Sequence, residues 1–552
     1  MSTLPHVSEE DLQSQLAMEN EVNNHFQVIT RRNVNSNAMI NRLPVELLVE
    51  VFYFLQSVHY EDEEEEEEAD IHRPAVHGKI YPDLKWILVM AVCHRWRRIA
   101  MEAGGLWTYL DLDFPDLVKN RFLPLSKKTP LDIQIYKPVQ DTSILEDIVS
   151  NHVDRIRTLY WPLQEEFKTP LASLSASASQ LQEVTILSYG VAQNMPLVLP
   201  NVIFPRIASL DILNCITSLS PNFLGPNLKS LVLRSQFHQT IDPIVFFNCL
   251  AQMTRLEHLE IKGVCFSMDG NMSRPTQSKR PSLPSLVKLV LRSPAAHDAY
   301  ADYITLLQSL VLPVGIHLLF ISSAPLPDKD VSVLVSIVLS YINPLRHSLS
   351  IGETPHSLHL ALSDDFTGCS EDVIFQTRLR IPLTLSSRDA FWTAMKKIDG
   401  RVIGTLRIRM LLWDKKKVLN LLSACPNLKT LVIVTVWLGS VLLMKALTRY
   451  RKVLVPKLET IVFEDALWRS MDEYQANQEG ELTGAILRVV EARKKAGSPI
   501  HRIEILDCKN MDQRDIEPLK QVVDIVEWDS LITLEDENSD EEEGTQMLNA
   551  AN

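Results

Sequence analysis

Five phrases decide how this chain folds: FPRIASLDI at 204–212, GPNLKSLVL at 225–233, LPSLVKLVL at 283–291, CPNLKTLVI at 425–433 and VPKLETIVF at 455–463. Each sets a proline two residues before an apolar residue, which opens the pattern apolar-x-x-apolar-x-apolar. The pattern begins at Ile156, Leu181, Ile207, Leu228, Leu256, Leu286, Ile316, Ile403, Leu428, Leu458 and Ile500. Successive starts lie 25, 26, 21, 28, 30, 30, 87, 25, 30 and 42 residues apart. With 46% apolar residues the triple alone is common by chance. The spacing and the prolines carry the reading. Pro205, Pro226, Pro284, Pro426 and Pro456 all stand two residues before a start, an excess for a residue that is 30 of 552.

Between the phrases lie helical stretches at Val245–Met253, Tyr303–Leu312, Val418–Ala424, Val441–Tyr450 and Gly484–Lys495. Strand, loop and helix returning every 25–30 residues resembles a leucine-rich repeat. That resemblance implies an α/β solenoid over 150–530, with parallel strands inside and helices outside. Cys215 and Cys508 follow Ile212 and Ile505 by three residues, where such a repeat accepts Asn or Cys, so both read as structural. The stretch 322–402 fits poorly and holds either irregular repeats or an insertion. Glu517–Trp528 reads as a closing cap. A long array without an obvious pocket suits protein recognition. Arg234, Lys262 and Arg292 follow strands as exposed candidates, although charge at such a place more often forms a solvated rim.

The N-terminal part has a different texture. Residues 1–39 form a polar leader with one short helical candidate after Ser8, where Asp11 completes a capping pattern and Leu12 and Leu16 stand one turn apart. From Ile40 the chain reads INRLPVELLVEVFYFLQ. Pro44 suits the first helical position and Glu46 the first turn. Leu43, Leu47, Leu48, Val51, Phe52 and Leu55 recur at three- and four-residue steps. A second helix is expected over Asp83–Ala100, with Ile87, Leu88, Ala91, Val92, Arg95, Trp96 and Ile99 on one face. Gly104 and Gly105 end it, and Leu106 and Trp107 open the next segment. Helices this apolar cannot bury themselves in so small a unit, so a docking partner is expected.

Taken together, LPxELLxxVF at 43–52, VCxxWRxIA at 92–100 and LW at 106–107 resemble the F-box. With Leu110-Asp111-Leu112 and Pro130-Leu131-Asp132-Ile133, the wider phrase is similar to a large fungal group of F-box proteins with repeat-bearing C-terminal regions. The resemblance implies a short three-helix module over 40–112 that docks on the Skp adaptor of a cullin–RING ubiquitin ligase. Leu43, Pro44, Leu47, Leu48, Val51, Phe52, Val92, Cys93 and Trp96 then line the adaptor interface or the small core behind it; Cys93 and Trp96 fit either place. One departure is an insert at about 57–82, longer than the turn usual in the family.

That insert holds one of the chain's two acidic tracts. The 552 residues contain 55 Lys and Arg against 69 Asp and Glu, a net charge of −14. The tract 61–68 carries eight negative charges, and 535–543, within a tail at 531–552, carries seven. Without them, 54 acidic residues (69 less 15) face 55 basic ones. A near-neutral body argues against a nucleic-acid surface. Runs of like charge repel, so both tracts are expected to be disordered. No apolar run is long enough for a membrane span, and the N-terminus lacks the pattern of a secretory signal. Seven cysteines with no Cys-x-x-Cys pair suit reduced thiols in the cytoplasm or nucleus. G-x-G-x-x-G, P-loop and H-E-x-x-H patterns are absent, and the two G-x-x-x-G spacings with nucleophile-elbow length centre on Val402 and Leu482.

The expected function is therefore a non-enzymatic, cofactor-free substrate-recognition subunit of an SCF-type ubiquitin ligase. It holds the Skp adaptor through the helical module and an unknown protein substrate through the repeats. The alternative is a non-catalytic repeat scaffold that binds basic proteins, such as histones, through its acidic tracts. A regulator resembling the leucine-rich Ran GTPase-activating proteins ranks last, because no matching catalytic arginine motif is present.

Overall fold

In the computed structural model every proline phrase adopts the same local structure. The proline takes the second place of a tight turn, which its fixed φ favours. The residue two places on closes the turn: Leu228 N–H donates to Gly225 O at 3.3 Å, Leu286 to Leu283 O at 3.1 Å, Leu428 to Cys425 O at 3.2 Å and Leu458 to Val455 O at 3.0 Å. Each turn then releases the chain into a five-residue strand. The structure describes residues 9–57, 84–112, 115–134, 147–148, 150–163, 178–188, 196–198, 204–214, 216–218, 224–235, 240–266, 280–293, 299–313, 316–322, 326–340, 348–353, 357–363, 377–382, 391–395, 400–409, 415–434, 437–448, 453–469 and 481–529. Residues 58–82 of the acidic insert, the tail at 531–552, Cys215 and Cys369 lie outside them.

The chain divides into two compact units, 1–192 with 199–211, and 193–198 with 212–552. The division therefore falls later than the end of the expected module at 112, and the first parallel strands belong to the N-terminal unit.

That unit begins with helix α1 (Glu9–Asn37). The leader thus holds one helix of 29 residues where a short candidate was expected. The segment contains neither Gly nor Pro and opens with Glu9, Glu10 and Asp11 on the favourable end of the helix dipole. Then come a 3-10 turn (Met39–Arg42), α2 (Val45–Ser57), a second 3-10 stretch (Leu84–Leu88), α3 (Val89–Val92) and α4 (His94–Glu102). Four parallel strands follow, β1 (Tyr109–Asp111), β2 (Leu131–Gln134), β3 (Ile156–Leu163) and β4 (Glu183–Ser188), each paired with the next.

The C-terminal unit carries the strands β5 (Ser230–Arg234), β6 (His258–Lys262), β7 (Lys288–Arg292), β8 (His317–Ile321), β9 (Ser348–Glu353), β10 (Ser357–Ser363), β11 (Thr377–Pro382), β12 (Thr405–Arg409), β13 (Thr430–Val434), β14 (Thr460–Glu464), β15 (Arg502–Leu506) and β16 (Ile525–Trp528). Parallel strands need crossovers, and helices supply most of them. These are α5 (Pro243–Gln252), α6 (Ala299–Ser309), α7 (Asp328–Ser340), α8 (Lys415–Ala424), α9 (Trp437–Thr448), α10 (Glu481–Lys495) and α11 (Gln513–Lys520). Five of the seven coincide, within a few residues, with the stretches read from periodicity. The unit is α/β with a largely parallel sheet.

Register is set at the start of each strand. Lys229 O accepts from both Glu257 and His258 N–H (2.7 and 2.8 Å), and Glu257 O from both Val287 and Lys288 N–H (2.8 and 2.9 Å). Gly404, Lys429 and Glu459 repeat the arrangement for the strands that follow them. Equivalent residues therefore stack: Leu231 beside Leu259 beside Leu289 beside Leu318. The second and fourth residues of each five-residue strand are buried, from Leu231 and Leu233 through Ile503 and Ile505. Each such side chain contributes about 1.5–3 kcal/mol of burial.

The stretch 322–402 resolves into α7 and an insertion of three strands. β11 lies parallel to β8, β10 antiparallel to β11, β9 antiparallel to β10, and β12 parallel to β9. The inserted strands enter the sheet in reverse chain order. Their apolar residues meet in register, Leu360 beside both Ile351 and Leu379.

Two local devices secure the C-terminal unit. The residue just after a strand turns left-handed at Gly263 (φ 68°), Asp465 (φ 46°) and Asp507 (φ 50°). At Gly263 a Cβ would stand 1.8 Å from Ser235 O. Near the C-terminus, the fully buried guanidinium of Arg469 donates to Asp515 (3.1 and 2.5 Å) and to Asp512 (3.4 Å), while Asp512 caps α11 by accepting from Arg514 N–H at 2.8 Å. Hydrogen bonds from Arg514, aided by the charge of Arg469, hold the Asp512 carboxyl down at about 2 against an ordinary 3.8, despite partial burial.

Three expectations follow from these devices. In urea denaturation Gly497→Ala, where φ is 75° but the space is open, loses about 1 kcal/mol, whereas Gly263→Ala loses about 3 kcal/mol or more because the clash is with backbone. Arg469→Met strands Asp515 in the core and loses roughly 3–5 kcal/mol at neutral pH. The folded-state value of Asp512 lies below its unfolded value. Its stabilisation is therefore complete above about pH 4 and disappears as pH falls toward 2, which an acid titration followed by circular dichroism checks against Asp512→Asn.

Candidate partner-docking site

The helical module is organised around one indole. Trp96, on the first turn of α4, packs its ring against Phe52 of α2 with centroids 5.2 Å apart. Its Nε1–H donates to Asn41 Oδ1 at 2.7 Å, and Asn41 Nδ2–H donates in turn to Asn35 O at 2.6 Å. Arg95 donates through Nη2 to Leu43 O at 2.8 Å and through Nη1 to Asn41 O. The turn before α2 is thereby tied to α4 across more than fifty residues of chain. Behind it, Trp107 donates to Ala100 O at 2.7 Å and stacks edge-on against Trp86 and Phe122. Gln56 Nε2–H reaches Leu106 O at 3.2 Å.

The expected helix over Asp83–Ala100 is broken. Cys93 is fully extended (φ −159°, ψ 168°) between α3 and α4, and its thiol accepts from Trp96 N–H at 3.5 Å as the cap of α4. The break rotates the first part relative to the second, so the face read from a continuous helix is not the face that packs. Trp86, Val89, Trp96 and Ile99 are buried, while Leu88 and Val92 are 68% and 57% exposed.

The nine residues named from the motif therefore separate. Leu48, Phe52 and Trp96 form the core; Leu43, Val51 and Cys93 are half-buried; Pro44, Leu47 (51% exposed) and Val92 stand in the open. Sequence reasoning missed several others. Phe54, 65% exposed and two helical turns from Leu47, shares its side of α2, and Met39, Val45 and Leu88 are exposed as well. Their signal was present in the excess of apolar residues over what one face of a helix can bury. Asn41 gave no sign in sequence, and Arg95 was read on the packing face of its helix without its role in holding the turn, because their partners are a distant indole and backbone carbonyls.

A polar cleft of about 690 Å³ in the same unit is lined by Tyr53 and Gln56 of α2 and by Asp132, Gln134, Arg157 and Glu183 of the strands. Arg157 donates through Nε to Asp132 Oδ1 at 2.9 Å and through Nη2 to Oδ2. That hydrogen-bonded carboxylate raises the Arg157 pKa. Burial, with Glu50 nearby, raises that of Tyr53. These charges are paired with each other, which suits polar contact with a ligand or partner more than proton transfer. Among the described residues, no three His, Cys, Asp or Glu side chains stand together as metal ligands. No described helix is long and apolar enough to cross a membrane. The thiols of Cys249, Cys425 and Cys508 are pushed up to about 11, 12 and 12 by burial, which keeps them protonated.

No protein-family model matches the chain, and no curated protein does. Among solved structures, a crystal structure of the Rad7 and Elc1 complex in yeast aligns over 97% of this chain and all of its own, at 14% identity and a TM-score of 0.24. A likeness that low carries no argument about fold or function.

Replacing Asn41 by Ala leaves the buried indole N–H of Trp96 without its acceptor. A loss of about 1–3 kcal/mol is expected for the N-terminal unit, read as faster amide exchange across α2 and α4 with exchange in β5–β8 unchanged.

Proposed function

We propose that the protein is the substrate-recognition subunit of an SCF-type ubiquitin ligase, with an F-box formed by α2, α3 and α4 and a leucine-rich-repeat-like solenoid behind it. One observation carries the reading. The motif LPxELLxxVF…VCxxWRxIA…LW divides into a small packed core, Leu48, Phe52 and Trp96, and an apolar exterior, Pro44, Leu47 and Val92. Exposed apolar residues of that number on a small helical module call for a partner that covers them. The resemblance supplies the partner: a Skp adaptor, and through it a cullin–RING ligase.

In this reading the chain performs no covalent step. The helical module holds the adaptor, the strands and their loops hold a protein substrate, and catalysis is proximity. Substrate lysines are raised to a high effective concentration beside a charged ubiquitin-conjugating enzyme. Buried, unpaired cysteines suit a reducing compartment, the cytoplasm or nucleus.

The test is co-purification of the full chain with a Skp adaptor. Leu47→Asp with Val92→Asp changes two exposed side chains and is expected to weaken adaptor binding by at least roughly a hundredfold with the circular dichroism spectrum unchanged. Leu48→Asp would instead unfold the module, since that side chain is fully buried. Deletion of residues 61–70 is expected to leave binding intact. Absence of any affinity between the intact protein and a Skp adaptor at micromolar concentration sinks the reading.

A further inference from the structure

The three cations that follow strands in sequence stand in one row in space. Arg234, Lys262 and Arg292 are the last residues of β5, β6 and β7 and are direct register partners, Lys262 beside Arg234 and beside Arg292. Adjacent strands are about 4.8 Å apart, so the row spans roughly 10 Å. All three occupy the fifth place of their strands, opposite in pleat to the buried second and fourth residues and beyond the buried third-place residues Val232, Glu260 and Val290 of their own pleat.

Like charges side by side normally repel, and a solvated rim would splay them apart. Here they are held together. Arg234 donates through Nε to Glu260 Oε1 at 3.1 Å, with both side chains largely buried. Arg292 is half-buried and its Nε lacks a hydrogen-bond partner. Lys262 is exposed between them. Burial and then the charges of Arg292 and Arg234 lower the Lys262 pKa, against the single opposing pull of Glu260. Burial favours protonation of Glu260, but Arg234, Arg292 and His258 outweigh it and keep the carboxylate ionised. Within β5, β6 and β7 the three cations share their pleat with one anion, Glu260, so these strands carry an excess of positive charge in a register that the backbone holds.

We propose that this row is the docking surface for an acidic polypeptide segment, one in which Asp and Glu side chains recur along an extended strand. The spread of the cations decides among anions. A single phosphate wants donors converging on one point; three donors in line at strand spacing match several carboxylates carried along a chain. An acidic segment laid across β5, β6 and β7 relieves the repulsion at Lys262 and gives the Arg292 Nε–H an acceptor. The surface would bind its segment whether or not the N-terminal helices hold an adaptor.

The experiment is fluorescence anisotropy of a labelled Asp/Glu-rich peptide titrated with the full chain. Saturable binding is expected, weakening by roughly an order of magnitude between about 50 and about 200 mM salt. Lys262→Gln with Arg292→Gln is expected to weaken it by at least roughly tenfold, and Lys229→Gln, at the other end of the same strands, by less than about twofold. If the double variant melts at lower temperature, the exposed Lys262→Gln alone decides, with an expected loss of about threefold. Absence of saturable binding up to about 100 μM, equal binding by the Lys262 variant, or tighter binding of a phosphoserine peptide that lacks Asp and Glu each overturns the proposal.

Discussion

The structure depends on a carbonyl shared between two N–H groups at the foot of most of its parallel strands. Where Lys229 O takes two consecutive N–H groups from the next repeat, and Glu257 O two from the one after, the stagger between neighbouring strands has no freedom left. A slip of one residue would turn every buried leucine to the opposite face. Once the register is locked, equivalent side chains stack in files: leucines and isoleucines on the buried side, and on the other whatever stands at odd positions. A tight turn precedes each of these carbonyls, with proline at its second place before Lys229, Lys429 and Glu459 and without proline before Glu257 and Gly404.

That coupling also explains what could be read in advance. Turn, strand and crossover helix are each specified within about thirty residues, so the phrases at 225–233, 283–291, 425–433 and 455–463 announced their strands, and α5, α6, α8, α9 and α10 appeared as apolar periodicity between them. The inserted strands β9, β10 and β11 could not be read. Their partners lie far apart in the chain, as with β8 and β11, and alternation over six residues is hard to recognise where nearly half of all residues are apolar.

The helical module was legible as a motif and much less so as a surface. The order of the apolar positions was visible from Leu43 to Trp107, but a single extended residue, Cys93, changed which of them pack. Periodicity assumes an unbroken helix, and a break of one residue rotates everything before it. What remains exposed is set by three-dimensional subtraction: Phe52 and Trp96 satisfy each other, and Leu47, Phe54, Leu88 and Val92 are left over.

The insertion between β8 and β12 obeys a rule of parity. Its strands alternate in direction, so the first and third run the same way, and both borders of the insertion match the polarity of the array around it. Two inserted strands would have left the next repeat facing an antiparallel edge, with its turn carbonyl at the wrong end of the ladder. An insertion of alternating strands can therefore add one strand or three without disturbing its neighbours, and cannot add two.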